Sequence, residues 1–164
     1  MKKIIVGTLT ALLALLTLAT LLACIEYLGG QPMGLFAGSR PSNLGYSSGK
    51  FALPSWKPNS VSSTIEKSDA HYIEPLAFSG APADSWKKLH GIVKASTRAN
   101  IIADQPGYIY AEFKSAGLGF VDDVEFALDA GTNVIHVRSA SRLGIRDLGV
   151  NRARIESMRA QFAN

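Results

Sequence analysis

The sequence predicts an α+β fold: an N-terminal membrane or signal helix, then a mainly antiparallel sheet covered on one face by two helices. Three observations carry this. Residues 4–23 run from Ile4 to Ala23 without a charge. Three later segments alternate apolar and polar residues at period two, as strands with one buried face do. Two further stretches place apolar residues three and four apart, as helices that lie on a sheet do.

Residues 1–28 read as a membrane anchor or a signal segment, lipoprotein or otherwise. The apolar run is close to the roughly 20 residues needed to span hydrocarbon and longer than the usual apolar core of a signal peptide, about 7 to 15 residues. Lys2 and Lys3 precede the run and Glu26 follows it. Positive charge stays on the cytoplasmic side, so the rest of the chain is expected across the membrane, facing the periplasm in a Gram-negative envelope. Leu21-Leu22-Ala23-Cys24 resembles a lipobox, which makes Cys24 a lipidation candidate and an outer-membrane lipoprotein the alternative location. Retained anchor, lipoprotein and simple cleavage all export the domain. Cys24 is the single cysteine, so an internal disulfide and a thiolate metal site are excluded.

Residues 29–43 are rich in Gly, Pro and Ser and read as a flexible linker, with the exported domain at 44–164. From Leu44 to Ser63 the expectation is an ordered loop pinned by Tyr46, Phe51, Leu53, Trp56 and Val61. A helix is predicted from about Pro82 to Ala95, with proline in the first turn, Asp84 near the positive end of the dipole, and Trp86, Leu89, Ile92 and Val93 on one face. A short strand around Asn100 to Ala103 follows. Three strands are then predicted at Tyr108 to Lys114, Val121 to Leu128 and Asn133 to Ser139, with a tight hairpin at Asp129-Ala130-Gly131-Thr132. Their inward residues are Ile109, Ala111, Phe113, Val124, Phe126, Leu128, Ile135 and Val137. A last helix begins near Asn151 as N-cap and sets Ile155, Met158 and Phe162 along a buried stripe. The sheet then has one apolar face for the helices and one polar face open to solvent or a partner.

Charge is segregated along these strands. Between Asp104 and Asp129 six carboxylates meet one lysine, whereas Arg138, Arg142, Arg146, Arg152, Arg154 and Arg159 are accompanied only by Asp147 and Glu156. Parity puts Asp123 and Glu125 on the face that carries His136 and Arg138, so a cross-strand ladder of ion pairs is expected. The arginine beside these carboxylates already compensates them, so no metal or other cofactor is implied. His136 and Ser139 are three apart on a strand and point to opposite faces, which argues against a Ser–His dyad, and no G-x-S-x-G elbow is present. The net charge of +4 falls only to +3 once Lys2, Lys3 and Glu26 are set aside, too little to indicate nucleic acid.

FVDDVEF followed by VRSASRLGIRDLGVNRARIE resembles the bacterial and plastid family catalogued as domain of unknown function 1499. Leu44-Gly45, Gly49-Lys50, Pro58-Asn59, Val61-Ser62-Ser63 and Pro75-Leu76 are similar to its N-terminal landmarks, so the likeness covers roughly residues 44 to 162. The family often shows C-P-x-S-P-N-C, where this chain has Pro54 and Ser60 in place of the two cysteines. The resemblance implies the domain boundary and the exported context, and no activity.

The candidate binding residues are Asp122, Asp123, Glu125, Arg138, Ser139, Ser141, Arg142, Arg146, Asp147, Asn151 and Arg152. Clustered guanidinium forks match carboxylate or phosphate oxygens, so the expected role is a non-enzymatic binding module. Its polar sheet face and arginine-rich edge would receive an anionic ligand, a lipid headgroup or an envelope protein. The alternatives are an enzyme using Asp122 or Asp123 with Ser139 or Arg142, and a purely structural role in which Asp122, Asp123, Glu125 and Asp147 fill the forks.

Overall fold

The computed structural model of the chain describes residues 10, 12–22 and 36–163. Cys24 and the first part of the linker lie outside the described residues. Residues 12–22 form helix α1, and every one of them is exposed. No helix among the described residues is long and apolar enough to cross a membrane.

The second unit, which starts at Leu35, holds the α+β domain. Its elements are β1 (Ser60–Ser62), β2 (Leu76–Ala77), α2 (Pro82–Ala95), β3 (Ala99–Gln105), β4 (Tyr108–Lys114), β5 (Val121–Asp129), β6 (Val134–Ser141) and α3 (Val150–Ala163). The six strands make one antiparallel sheet in the order β1-β6-β5-β4-β3, with β2 also paired to β6. The longest strands alternate as their sequences require. Ile109, Ala111, Phe113, Val124, Phe126, Ile135 and Val137 are buried on one face against Leu89 and Val93 of α2 and Ile155, Met158 and Phe162 of α3. Trp86 and Ile92 pack at the margin of that core.

Several local expectations are corrected. β1 and β2 are strands of three and two residues, too short for periodicity to reveal, and both complete the outer edge of β6. Leu53 and Trp56 do not pin their loop, being 74% and 76% exposed; Tyr46 and Phe51 do, in an edge contact at 5.0 Å. Asn151 is not the N-cap of α3. It lies inside α3, whose first turn is held from outside by the Asp147 carboxylate, which accepts the Gly149 amide at 3.0 Å and the Asn151 amide at 2.9 Å and so leaves the Asn151 side chain to the core.

Candidate functional site

The register of the β5–β6 hairpin sets the site. Glu125 faces Arg138, Asp123 faces Ala140 and Asp122 faces Ser141. Period two then divides the candidates between the two faces of the sheet. Asp123, Glu125, Arg138 and Arg142 lie on the face away from the helices; Asp122, Ser139 and Ser141 lie on the helix side.

On the first face three carboxylates meet three arginines. Arg138 Nη1 donates to Glu125 Oε2 at 2.6 Å, and Tyr108 and the Gly45 amide donate to Oε1 at 2.8 and 2.6 Å. Arg142 reaches both oxygens of Asp123 through Nε, at 3.1 and 3.0 Å, and Oδ1 again through Nη2 at 2.7 Å. The same Nη2 donates to Glu112, which Arg40 also holds at 2.7 Å. The Tyr110 hydroxyl donates its one proton to Asp123 at 2.6 Å and lies 3.0 Å from Glu112 as well. Burial acts against charge on Arg142, but its bonds to Asp123 and Glu112 outweigh that and raise its pKa. Glu112 is likewise opposed by burial and still held below the usual carboxylate range by Arg142, Arg40 and Tyr110. Burial, with Glu125 for Tyr108 and Asp123 for Tyr110, pushes both phenols far above their ordinary range, so each stays a donor.

This face was expected to be wet, and that expectation is corrected: Asp123 is 1% exposed, Glu125 0% and Arg138 7%. A strap formed by residues 36–51 closes over it. Arg40 pairs with Glu112, Gly45 donates its amide to Glu125, and Tyr46 stacks on His136 at 5.8 Å between ring centres. Phe36 stacks on Phe120 at 5.0 Å. Gly38, with φ +66°, passes so close to β6's exit that an added Cβ would stand 3.0 Å from Leu143 and 3.1 Å from Arg142, so glycine is required there. His136, covered by Tyr46, has its pKa lowered by burial, with Asp129 acting weakly in the other direction.

On the helix side Asn151 is the hub. It is fully buried; its Oδ1 accepts from Ser139 at 2.5 Å and Arg154 at 2.8 Å, and its amide nitrogen faces Asn59 O, Ser141 Oγ and Asp147 Oδ2 at 2.9 to 3.0 Å. Arg154 extends the network to Asp122 at 2.5 Å and lies over the Phe113 ring at 4.9 Å. Burial would raise the Asp147 pKa, but the amides of Asn151 and Gly149 outweigh it and hold this carboxylate low.

The structure therefore brings together Asp123, Glu125, Arg138 and Arg142 in one cluster and Asp122, Ser139, Ser141, Asp147 and Asn151 in another. It does not bring Arg146 or Arg152 to either. Arg152 donates to the carbonyls of Ala70 and Tyr72, and Arg146 is exposed and makes no ion pair among the described residues. Ser139 and His136 lie on opposite faces, as parity required. Among the described residues no three His, Cys, Asp or Glu side chains converge to hold a metal ion. Glu112, Tyr108, Tyr110 and Arg40 complete the first network and are absent from the candidate residues, whereas Arg154, which belongs to the arginine-rich edge read from the sequence, completes the second. Glu112 and the tyrosines share the parity of Asp123 across β4, and Arg154 sits one helical turn after Asn151, so both signals were present in the sequence.

Compared with known proteins, the chain matches the family model described as "Protein of unknown function (DUF1499)" over residues 52–162. No curated protein matches it.

Proposed function

Taking as premise that the chain belongs to the DUF1499 family, whose description assigns no activity, we propose that it is a membrane-tethered, exported interaction domain. Its arginine–carboxylate clusters build the fold, and partner contacts fall outside them. One observation carries this reading: the forks of Arg138, Arg142 and Arg154 are each filled by a carboxylate of this chain. A ligand anion seeking those forks would first break a buried pair, at a cost of about 3–5 kcal/mol. Arg146 is the cation of the candidate set left for a partner.

The tether is supported by α1. Leucines 12, 13, 15, 16, 18, 21 and 22 surround it, all exposed, and a helix that is apolar on every side needs an apolar environment. Thr17 and Thr20 return their hydroxyls to backbone carbonyls three or four residues back, so these two polar side chains are satisfied within the helix itself. The rival reading, an acid–base enzyme, keeps one foothold: Asp122 lines both a 510 Å³ groove beside Arg154 and a smaller cavity beside Arg146.

Fractionating cells that express the full chain tests the tether. Retention in the membrane after alkaline extraction, with the domain open to protease only from the non-cytoplasmic side, is the expected outcome. Quantitative release into the soluble fraction, or protection on that side, would overturn it.

A further inference from the structure

We propose that the end of the sheet where the chain enters the domain docks on an anionic lipid surface, with the loops 115–120 and 142–149 seated among the headgroups. The inference deepens the tethered reading and rests on it.

Exposed apolar side chains gather at this end. The β4–β5 loop carries Leu118, 59% exposed, and the β6–α3 connection carries Ile145 at 58% and Leu148 at 93%. Phe120, Leu143, Leu148 and Val150 line one cavity of about 230 Å³ with Arg146 at its rim. Trp56, 76% exposed, lies three residues before Asn59, whose side chain donates to Gly144 O at 2.9 Å, so the chain carrying the indole runs into this end. The opposite end differs in chemistry: the hairpins after β3 and β5 carry the half-exposed carboxylates of Asp104 and Asp129.

Leu148 is the sharpest of these residues. Its backbone is left-handed, φ 55°, ahead of Gly149 at φ 83°. A branched aliphatic residue is disfavoured in that region, where Asn or Gly would be at ease, and its side chain is almost wholly in solvent. The domain itself buries almost none of this leucine, so its apolar surface is left for something outside the domain to cover.

Charge and connectivity choose the occupant. Asp122 and Asp147 at this end are engaged by Arg154 and by the first turn of α3, whereas Arg146 is exposed without an anion among the described residues. The exposed surface is therefore apolar with an uncompensated cation, the composition that seats on negatively charged headgroups, and tryptophan favours the same interface. The chain also arrives here. Phe36 stacks on Phe120 and Gly38 abuts Leu143, so the strap begins at this end. Residues 23–35 span at most about 45 Å when extended, which leaves a bilayer holding the apolar segment within reach.

The test uses the full chain in vesicles containing brominated phosphatidylglycerol, with Trp56 emission taken as the difference between the native chain and Trp56→Phe. Docking predicts that Trp56 is quenched and blue-shifted. Leu148→Asn combined with Ile145→Asn should reduce that quenching several-fold, while the thermal midpoint holds or rises because Asn accepts the left-handed backbone. Arg146→Gln should lower the docked population roughly five-fold, the effect of one cation near an anionic surface. Uncharged phosphatidylcholine vesicles should reproduce that loss. A chain that floats with the vesicles but leaves Trp56 unquenched overturns the docking inference and spares the tether. A chain that fails to float overturns both. A blue shift that appears without lipid and grows with protein concentration assigns the surface to a second copy, and also overturns the inference.

Discussion

Replacing Asp123 by asparagine removes one charge while keeping the shape of the side chain, and the structure allows its effect to be worked out. Asp123 is 1% exposed and accepts from Arg142 Nε, from Arg142 Nη2 and from the Tyr110 hydroxyl. An asparagine turns one of its two acceptor positions into a donor, which must face either a guanidinium donor or the phenol. Breaking a buried pair costs about 3–5 kcal/mol. Glu112 remains as a second partner for Arg142, so the lower part of that range, about 3 kcal/mol, is expected. For a domain of this size each kcal/mol moves the melting temperature by about 3–6 °C, so Asp123→Asn should lower it by about 10–15 °C. Circular dichroism melts of the full chain in detergent measure this. Asp104→Asn is the control: that carboxylate is half exposed and pairs with His90 at the surface, so its loss should fall within about 0.5 kcal/mol. A midpoint for Asp123→Asn within about 2 °C of the native chain would refute the reasoning, because a charge that unimportant cannot be holding two strands and a strap together.

Asn151→Ala should destabilise by about 2–4 kcal/mol, since it deletes the buried hub that links Ser139, Ser141, Asn59 and Arg154; urea titration checks this and should show an unchanged slope. His136 has a folded pKa below its unfolded value, because burial under Tyr46 disfavours the imidazolium. The unfolded chain therefore binds this proton more readily, and stability should fall as pH drops below about 6.5 until the folded pKa is passed. His136→Gln should flatten that limb of the stability profile. Glu112 acts lower: its folded pKa lies under the unfolded value of about 4.3, so its contribution is complete above that pH and is lost as pH falls through the folded pKa. Glu112→Gln should reduce the acid-side slope, the part that remains belonging to other low-pKa carboxylates such as Asp147.

Much of the fold is legible in the sequence because its long elements obey one period each. Alternation in Tyr108 to Lys114 and Val121 to Leu128 places both strands and their faces, and the apolar stripe of α3 is read from Ile155, Met158 and Phe162. The same parity puts Asp123, Glu125 and Arg138 together. What parity cannot supply is burial. The residues that close the polar face are a Gly-, Pro- and Ser-rich stretch, and its contact with Glu125 is made by a backbone amide at Gly45, which no side-chain pattern announces. Asn151 reads as a cap because its residue type favours that position; the left-handed Leu148-Gly149 turn instead starts α3 one residue earlier, at Val150, and carries the Asp147 carboxylate back to the Asn151 amide. The arginines looked like one edge because they are close in sequence. The strand-to-helix turn sends Arg142 to one face of the sheet, Arg154 to the other and Arg152 to the carbonyls of Ala70 and Tyr72.

Hydrogen exchange at the Gly45 amide tests the central claim most directly, namely that the oppositely charged strands neutralise each other beneath a closed strap. The amide donates to a fully buried carboxylate at 2.6 Å from a strap residue that lies in none of the six strands. The account predicts strong protection in the native chain and its loss in Glu125→Gln; exchange at the rate of an unstructured peptide in the native chain would contradict it.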